Sequence, residues 1–497
     1  MSAFSIDYVH LPFTELAVTK VSEQHQLILA EPLNGSWPNP GQLYKHQSGL
    51  GPVACPSAPD TKTQSSSVRS LPLCPAEVAG FDTRGGLPLY GDTNWQIALP
   101  LPEPHRIPLD PEHVIAAGDV FIVAARGGGP AIYAKNDRAD TFKDITIFTS
   151  GGPAIESWYS QGMAFIGITI EPGSGRLVST VAGGIQLDNM TGPGNRVQNS
   201  LIEGVQDDSI AGYPDIGSGS VTTASTATVT LASPPPESPV FFVNSLTGQV
   251  VGGPPGQGHA LFAAGSQTYE IVPHLSAGQV GQVVPGGVVY STAQFAPADN
   301  VVVAHNRIAN SYLARGIAFS GVAGIEITGN TITNTQQAGI FLGTAPPQYG
   351  PVNGALIADN TLTATNMGMS GVGTDMLSAI EVMAFGSNGN VFGGQPSRKL
   401  FINRNTITTT ERTGIWVGNV ADGEIDSANV IRDYALSHGN LGLTPHLNDR
   451  LEPYAPIAFK RAVFGWCTRN ISGLTLGFCH PPTTPRSPSK MPLSPSR

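Results

Sequence analysis

Charged side chains are scarce in this sequence: they make up 12% of 497 residues, and no basic stripe occurs among them. The net charge of −10 disfavours nucleic acid as a partner, because surfaces that bind phosphate are strongly basic. Long apolar runs are missing as well, and without a stretch of about 18 apolar residues no membrane span is expected. The histidines lack metal-ligand spacing, so the sequence implies neither a metal nor another cofactor.

Cysteine is also rare, and Cys55, Cys74, Cys467 and Cys479 form two distant pairs along the chain. Spacing does not decide between disulfides and thiols. We expect unpaired cysteines, because a chain of this length does not need covalent staples. The N-terminus lacks the basic and apolar regions of a secretory signal peptide. The sequence leaves the oligomeric state open.

Glycine and proline, in contrast, are abundant, with 59 and 42 residues, and both are unfavourable inside helices. The chain is nevertheless 40% apolar, which is enough to bury a core and is not typical of disorder. A chain of 497 residues exceeds one ordinary compact core. It therefore either divides into domains or repeats a short structural unit.

A repeat is visible between residues 301 and 431, where a short β-prone run is followed by Asn, one variable residue and an aliphatic residue. Its asparagines are Asn306, Asn330, Asn360, Asn405 and Asn429, separated by 24, 30, 45 and 24 residues. A second aliphatic run follows, as in 339–342 and 414–417. Two short strands per coil of about 22–25 residues are typical of a parallel β-helix, whereas a β-sandwich has no reason for a fixed period.

The asparagines are expected to lie at a corner of each coil. There they can hydrogen-bond backbone groups of neighbouring coils as a ladder, and Asn tolerates the left-handed backbone that such corners need. The pattern predicts an all-β chain, a right-handed parallel β-helix over 115–215 and 299–480. Residues 216–298 interrupt it with strands joined by Gly/Pro turns, which predicts an inserted small antiparallel β-barrel. Residues 1–114 are predicted to form a β-rich cap, and 481–497 a disordered Pro/Ser-rich tail.

Two consecutive carboxylates, Asp207 and Asp208, enter one of the predicted strands. Side chains on a β-helix face stack about 4.8 Å apart from coil to coil. Neighbouring carboxylates raise each other's pKa, which suits one to act as an acid and another as a base. The structural alternative is an Asx turn or a solvated corner.

The stretch from Asp144 to Ala211 resembles the bacterial α-1,3-galactosidases that remove terminal galactose of the blood-group-B type. The matching segments are Pro172-Gly173, Arg176-Leu177-Val178-Ser179-Thr180, Gly192-Pro193, Asp207-Asp208 and, after the insertion, Ala314-Arg315-Gly316-Ile317. The resemblance implies an inverting glycoside hydrolase with Asp207 and Asp208 as the catalytic carboxylates and an oligosaccharide or polysaccharide as partner. It also implies a secreted or periplasmic location, although no signal peptide is visible.

Three positions depart from that family. Gly183 stands where the family has an acid/base Asp, Gln186 where it has His, and Val181 where it has Asn. Glycine cannot transfer a proton, and general acid–base help is worth ~10²–10⁴ in rate. Asp188 could present a replacement carboxylate on the same face as Gln186. The alternative function is a non-catalytic glycan-binding or structural β-helix protein, and a polysaccharide lyase is a weaker third.

The remaining candidates are expected to bind substrate. Arg176, Gln186 and Arg315 would position the sugar, although both arginines could instead anchor loops through salt bridges. Trp158 could stack on a sugar ring or fill the corner of a coil. The sequence thus predicts Asp207 and Asp208 as acid and base, with Arg176, Gln186, Asp188, Arg315 and Trp158 around the substrate.

Overall fold

Short runs of aliphatic residues recur along the chain, and in the computed structural model these runs form β-strands. The structure describes residues 2–7, 11, 13–21, 27–34, 69–72, 95–98, 120–124, 128–190, 192–213, 219–232, 240–244, 250–251, 259–283, 288–291, 298–311, 314–335, 337–344, 352–366, 378–384, 397–410, 413–433, 457–460 and 466–467. The predicted tail over 481–497 lies outside these ranges, as do Cys55, Cys74 and Cys479, so the state of the cysteine thiols stays a prediction.

The strands are numbered in chain order. Strands β1 to β6 are Ser2–Ile6, Phe13–Val21, Leu27–Asn34, Arg69–Pro72, Trp95–Ala98 and Val120–Ala124. Strands β7 to β15 are Ile132–Lys135, Thr141–Ile147, Ile155–Trp158, Ala164–Ile166, Thr169–Ile170, Ile185–Asp188, Arg196–Gln198, Leu201–Val205 and Ile210–Gly212. Strands β16 to β22 are Gly219–Ala224, Thr228–Leu231, Val240–Val243, Val250–Val251, Ala260–Ala263, Thr268–Val272 and Val288–Ser291, and the helix α1 (Ala277–Val283) precedes β22.

The chain then continues with β23 to β38. These are Ala298–Ala304, Arg307–Ser311, Ile317–Phe319, Val322–Thr328, Thr331–Thr335, Ile340–Thr344, Asn353–Ala358, Thr361–Thr365, Ser378–Ala384, Arg398–Asn403, Thr406–Thr410, Thr413–Gly418, Gly423–Ile425, Val430–Arg432, Ile457–Lys460 and Trp466–Cys467.

Parallel strands stack in three ladders. The first ladder runs β8-β10-β13-β23-β26-β29-β32-β35-β38, the second β1-β8-β11-β14-β24-β27-β30-β33-β36, and the third β7-β9-β12-β15-β25-β28-β31-β34-β37. From β10 onward each coil contributes one strand to each ladder. This arrangement fits a parallel β-helix, so the predicted all-β solenoid is confirmed at that level.

The expectation of two strands per coil is wrong, because each coil from β10 onward has three. The run that precedes the repeated asparagine and the Asn-x-aliphatic segment that follows it are separate strands, as β23 and β24 show on either side of Asn306. The aliphatic residue of the motif points into the core: Ile308, Ile332, Leu362 and Ile407 are fully buried and follow one another in register. Each such side chain stabilises the stack by about 1.5–3 kcal/mol.

The predicted asparagine ladder is confirmed. Oδ1 of Asn330 accepts hydrogen bonds from the backbone N–H and the side-chain amide of Asn306, both at 3.0 Å. The same pair of bonds joins each asparagine of the motif to the next, as far as Asn429. Each side-chain amide also donates to a backbone carbonyl of the preceding coil, for example Asn360 to Ile327 at 2.8 Å. The buried corner is thereby satisfied coil by coil.

The left-handed backbone at this corner belongs to the residue before the asparagine. His305, Asp359 and Arg404 have φ of 58°, 59° and 51°, and a glycine, Gly329, occupies the same place with φ of 65°. The expectation that the ladder asparagines adopt this conformation is therefore wrong. The ladder asparagines point their amides inward, and the residue before each of the first four makes the left-handed turn.

Strands β16 to β22 form an antiparallel sheet between β15 and β23 in the chain, with strand order β19-β18-β22-β16-β17-β21-β20. The sheet has its own apolar cluster, which includes Val229, Leu231, Phe242 and Ile271. The insertion is therefore an antiparallel β-structure with a separate core. Within the described residues, β19 and β20 lie at its two ends.

The N-terminal strands form a second antiparallel sheet, β4-β3-β2-β6-β5, while β1 pairs with β8 of the solenoid. Glu15 of β2 is buried, and its Oε1 accepts the backbone N–H groups of Leu177 at 2.7 Å and Val178 at 3.2 Å. Phe13 packs on Val178 and Val181. This sheet thus contacts the loop that precedes β12.

Among the described residues no helix is long and apolar enough to cross a bilayer.

Candidate functional site

Asp208 lies in the turn between β14 and β15 and is buried, with 6% of its surface exposed. Its Oδ2 accepts a hydrogen bond from the Tyr213 hydroxyl at 2.5 Å, and its Oδ1 accepts the backbone N–H of Arg315 at 2.9 Å. Nη1 of Arg315 lies 3.6 Å from the same Oδ2. The carboxyl group is therefore held on both oxygens by neighbours from its own coil and from the next.

The surroundings of Asp208 change its acidity. Burial raises the pKa of Asp208, and although Arg315 opposes this rise, Asp207 adds to it. Burial and the charge of Asp208 also raise the pKa of Tyr213 well above its ordinary value, so this phenol stays protonated and donates. A buried carboxyl with a shifted pKa and a specific cationic partner is a candidate for a functional site, although structural ion pairs also shift pKa values.

Arg315 follows the insertion and precedes β25. Its guanidinium carbon lies 4.3 Å from the centre of the Phe341 ring, and Nη1 donates to the Tyr213 hydroxyl at 3.3 Å. The cation is thus fixed between an aromatic face and a carboxylate. Such a partly buried cation–π contact adds about 0.5–2 kcal/mol to the ion pair.

Asp207 is half-buried beside Asp208, and its Oδ1 accepts the backbone N–H of Asp208 at 2.9 Å. This is a local bond of the kind that the structural alternative predicts. It orients one oxygen of Asp207 toward the chain. The Asp-Asp pair therefore combines one clamped, buried carboxyl group with one nearer to solvent.

Gln186 of β12 is in register with Ala211 of β15, on the outer face of the third ladder. A side chain at position 183 would place its Cβ 3.0 Å from the carbonyl oxygen of Asp208 and 4.0 Å from Oε1 of Gln186. Position 183 thus lies directly against the Asp-Asp turn.

Asp188 lies two residues after the half-buried Gln186 and is itself buried. Its Oδ1 accepts the backbone N–H of Tyr213 at 3.1 Å, so Tyr213 is hydrogen-bonded to both Asp188 and Asp208. Trp158 of β9 is in register with Asp188, and its ring lies edge-on to Tyr159 at 5.8 Å between centres. Both residues therefore lie on the same outer face as Gln186.

Arg176 is hydrogen-bonded to the N-terminal segment rather than to the Asp208 cluster. Its guanidinium forms two hydrogen bonds with Asp7, at 3.0 and 2.9 Å, and a third with Oγ1 of Thr149 at 2.6 Å. These contacts match the loop-anchoring alternative, because they join the loop after β11 to the N-terminal segment. The structure brings Asp207, Asp208 and Arg315 together beside the face of the third ladder that also carries Gln186, Asp188 and Trp158.

Sequence reasoning missed Tyr213 and Phe341. Tyr213 directly follows β15, and Phe341 stands within the aliphatic run 339–342, so neither residue stands out by its type. Alternation supplies the missing signal, since Ala211 and Tyr213 both lie on the face opposite the core residue Ile210. The same parity places Phe341 outside and Ile340 inside.

Within the part of the chain that the structure describes, no group of three or more His, Cys, Asp or Glu side chains could hold a metal ion. Compared with known proteins, the chain matches no family model and no curated protein. The chemistry of the site is therefore argued from its own residues.

Proposed function

We propose that this protein acts on terminal α-galactosides or related glycans as a glycoside hydrolase-like β-helix protein with an inverting, carboxylate acid/base mechanism. The observation that carries the proposal is the buried carboxyl of Asp208, clamped by Tyr213 and Arg315 beside the half-buried Asp207. The choice of galactose as the terminal sugar is based on the resemblance of residues 144–211 to the α-1,3-galactosidases.

In this proposal Asp208 is the acid and Asp207 the base. Because the pKa of Asp208 is raised, its carboxyl holds a proton more readily than an ordinary aspartate and can deliver it to the glycosidic oxygen. The bond from that oxygen to the anomeric carbon breaks, water attacks the carbon from the opposite side, and its proton passes to Asp207. Such a reaction needs carboxyl groups about 6.5–9.5 Å apart, with the water between them.

The proposal extends to the finer features that the sequence pattern and the resemblance imply. These are a right-handed coil, closure of the antiparallel insertion into a small barrel, and a secreted or periplasmic location. The separate apolar cluster of the insertion and its position directly after β15 support the second of these.

A second function, glycan binding without hydrolysis, is favoured by Gly183. A side chain at this position would start 3.0 Å from the carbonyl oxygen of Asp208 and 4.0 Å from Oε1 of Gln186, but glycine offers no carboxylate there. In that case Arg315 and Gln186 hold sugar hydroxyls, and the Asp208 cluster maintains the shape of the site.

The test is hydrolysis of p-nitrophenyl α-galactoside and of the B-type trisaccharide by wild type, Asp207→Asn and Asp208→Asn. A p-nitrophenolate leaves with little help from an acid. Asp208→Asn should therefore lose more activity on the trisaccharide than on the aryl glycoside, whereas Asp207→Asn should lose activity on both. Asp359→Asn, on an exposed corner of the solenoid, is the matched control.

Turnover of neither substrate by wild type, with binding retained on a glycan array, would select the binding function. Turnover that survives in both variants would remove these aspartates from the mechanism. Absence of both turnover and binding would overturn the proposed function in either form.

A further inference from the structure

A column of side chains crosses the outer face of the third ladder, one residue from each strand. In register from β7 to β34 its members are Tyr133, Glu156, Gln186, Ala211, Ala318, Phe341, Glu381 and Trp416. The isoleucines that precede them in sequence point the other way, into the solenoid core. The column is therefore a continuous path along the solenoid axis, and it passes the Asp208 cluster at Ala211.

Exposure along this path changes sharply at the Asp208 cluster. Tyr133 is 52% exposed, and Glu156 and Gln186 are half-buried. Beyond them Ala318 and Trp416 are 0% and 1% exposed, although both point away from the solenoid core. The path is thus open on the β7 side and covered on the β34 side.

The covered side begins at Arg315. Its guanidinium rests on Phe341, which belongs to an outer apolar cluster with Ala318, Met383 and Trp416. A molecule seated against Asp207 and Arg315 therefore meets buried side chains toward β28 and partly exposed side chains toward β12, β9 and β7.

The open side carries side chains that suit a sugar chain. Tyr133 and Trp158 offer aromatic faces for the C–H side of a pyranose ring, while Glu156 and Gln186 offer hydrogen-bonding groups for hydroxyls. Lys135 is exposed and in register with Trp158. From β15 to β7 the path spans three strand spacings, about 14 Å, which is longer than one sugar ring.

We infer that the glycan at Asp207 and Asp208 extends in one direction only, over β12, β9 and β7, with Glu156 and Tyr133 as its distal binding residues. This inference rests on the proposed function and adds the binding surface for the part of the glycan beyond the terminal sugar. It follows that only a chain end fits against Arg315. Glycans with additional units beyond the terminal sugar gain contacts in the order Gln186, Glu156, Tyr133.

The test is calorimetric binding of methyl α-galactoside, the B-type trisaccharide and a B-type pentasaccharide. The proteins are wild type, Glu156→Ala, Tyr133→Ala and Tyr133→Phe, with the exposed Phe401→Ala on the first ladder as control. Tyr133→Ala should weaken pentasaccharide binding about fivefold, the size of one aromatic contact, and leave the methyl glycoside unchanged. Tyr133→Phe should restore binding, because it keeps the ring face.

The outcomes separate the two proposals. If wild type binds methyl α-galactoside but affinity changes neither with glycan length nor in the Tyr133 and Glu156 variants, the one-directional surface is wrong and the proposed function stands. If Phe401→Ala weakens the pentasaccharide instead, the glycan lies on the first ladder. If wild type binds none of the three sugars, the proposed function fails and the inference fails with it.

Discussion

The hydroxyl of Tyr213 donates to Oδ2 of Asp208, five residues earlier in the same chain, so the two ends of β15 are tied together across the outer face of the sheet. The Tyr213 backbone N–H is bonded in turn to Asp188 of the preceding coil. One tyrosine therefore links two carboxylates and sets the position of the acid in the proposed reaction.

Replacing Tyr213 with Phe should shift the pH dependence of hydrolysis. The hydrogen bond from Tyr213 lowers the pKa of Asp208, so its removal raises that pKa further. If Asp208 is the acid, activity falls as pH rises through this pKa, and the falling limb should move to higher pH in the variant. The measurement is kcat/KM against pH on the B-type trisaccharide. A limb that does not move would remove Asp208 from the role of acid.

The stability of the protein should also depend on the titration of Asp208. Its folded-state pKa is raised, so its contribution to stability is fully present below the ordinary value of 3.8 and is lost as pH rises through the folded-state pKa. Urea unfolding of wild type and Asp208→Asn should show wild type relatively more stable near pH 4 than near pH 8. Asp359 is a control with the opposite pH dependence. The hydrogen bond from Arg404 lowers the pKa of Asp359, so the contribution of Asp359 to stability is lost as pH falls.

Removing the positive charge of Arg315 should destabilise the protein, because Arg315 is the cationic partner of the buried Asp208. Arg315→Met leaves a buried carboxylate without its partner and should cost about 3–5 kcal/mol in the free energy of unfolding. Combining it with Asp208→Asn should recover much of that loss. The four proteins of this double-mutant cycle are compared by urea denaturation at neutral pH, and additive effects would contradict a direct coupling.

A break in the asparagine ladder should destabilise the solenoid. Asn360→Ala removes the acceptor for the backbone N–H of Asn330 and should cost about 2 kcal/mol or more, because a buried donor is left unpaired. The neighbouring Thr361 is exposed, so Thr361→Ala is the control and should change stability little. Equal urea midpoints for the two variants would show that the ladder contributes no net stability.

Adding a carboxylate at position 183 tests whether its absence limits hydrolysis. The backbone of Gly183 is not left-handed, and a Cβ there needs only a few tenths of an ångström from the carbonyl of Asp208. If Gly183 is the defect, Gly183→Asp should raise trisaccharide hydrolysis by up to about a hundredfold, the lower end of general acid–base help. Gly183→Asn matches its shape without the charge, and an equal gain with Asn would point to packing instead.

Much of the solenoid is predictable because the repeat is strict. Asn306 and its equivalents fix both the corner and the core position two residues later, and the structure confirms the ladder and the parallel stacking. The number of strands per coil is harder to predict from the sequence, because one β-prone run can continue through a corner without any change in composition.

The site is only partly predictable for a different reason. Asp207, Asp208 and Arg315 stand out by residue type, and the structure brings them together. Tyr213 and Phe341 contribute to the site because their side chains lie on the outer face of the sheet. Which face a side chain occupies depends on where the strand begins and ends, and the sequence does not determine those limits. Arg176 carries the same charge as Arg315, and the difference between them lies in Asp7, which is 169 residues away in the chain.

The backbone N–H of Ser200 bonds to Asn306 across 106 positions, whereas the next bond of the ladder joins residues 24 apart. Loop-closure entropy grows only logarithmically with length, so this longer connection costs about 1.3 kcal/mol more than an ordinary coil. That penalty is comparable to one hydrogen bond. A solenoid of this kind can therefore acquire a large module at a coil boundary without losing its register, and the same boundary is a natural place to graft a foreign domain.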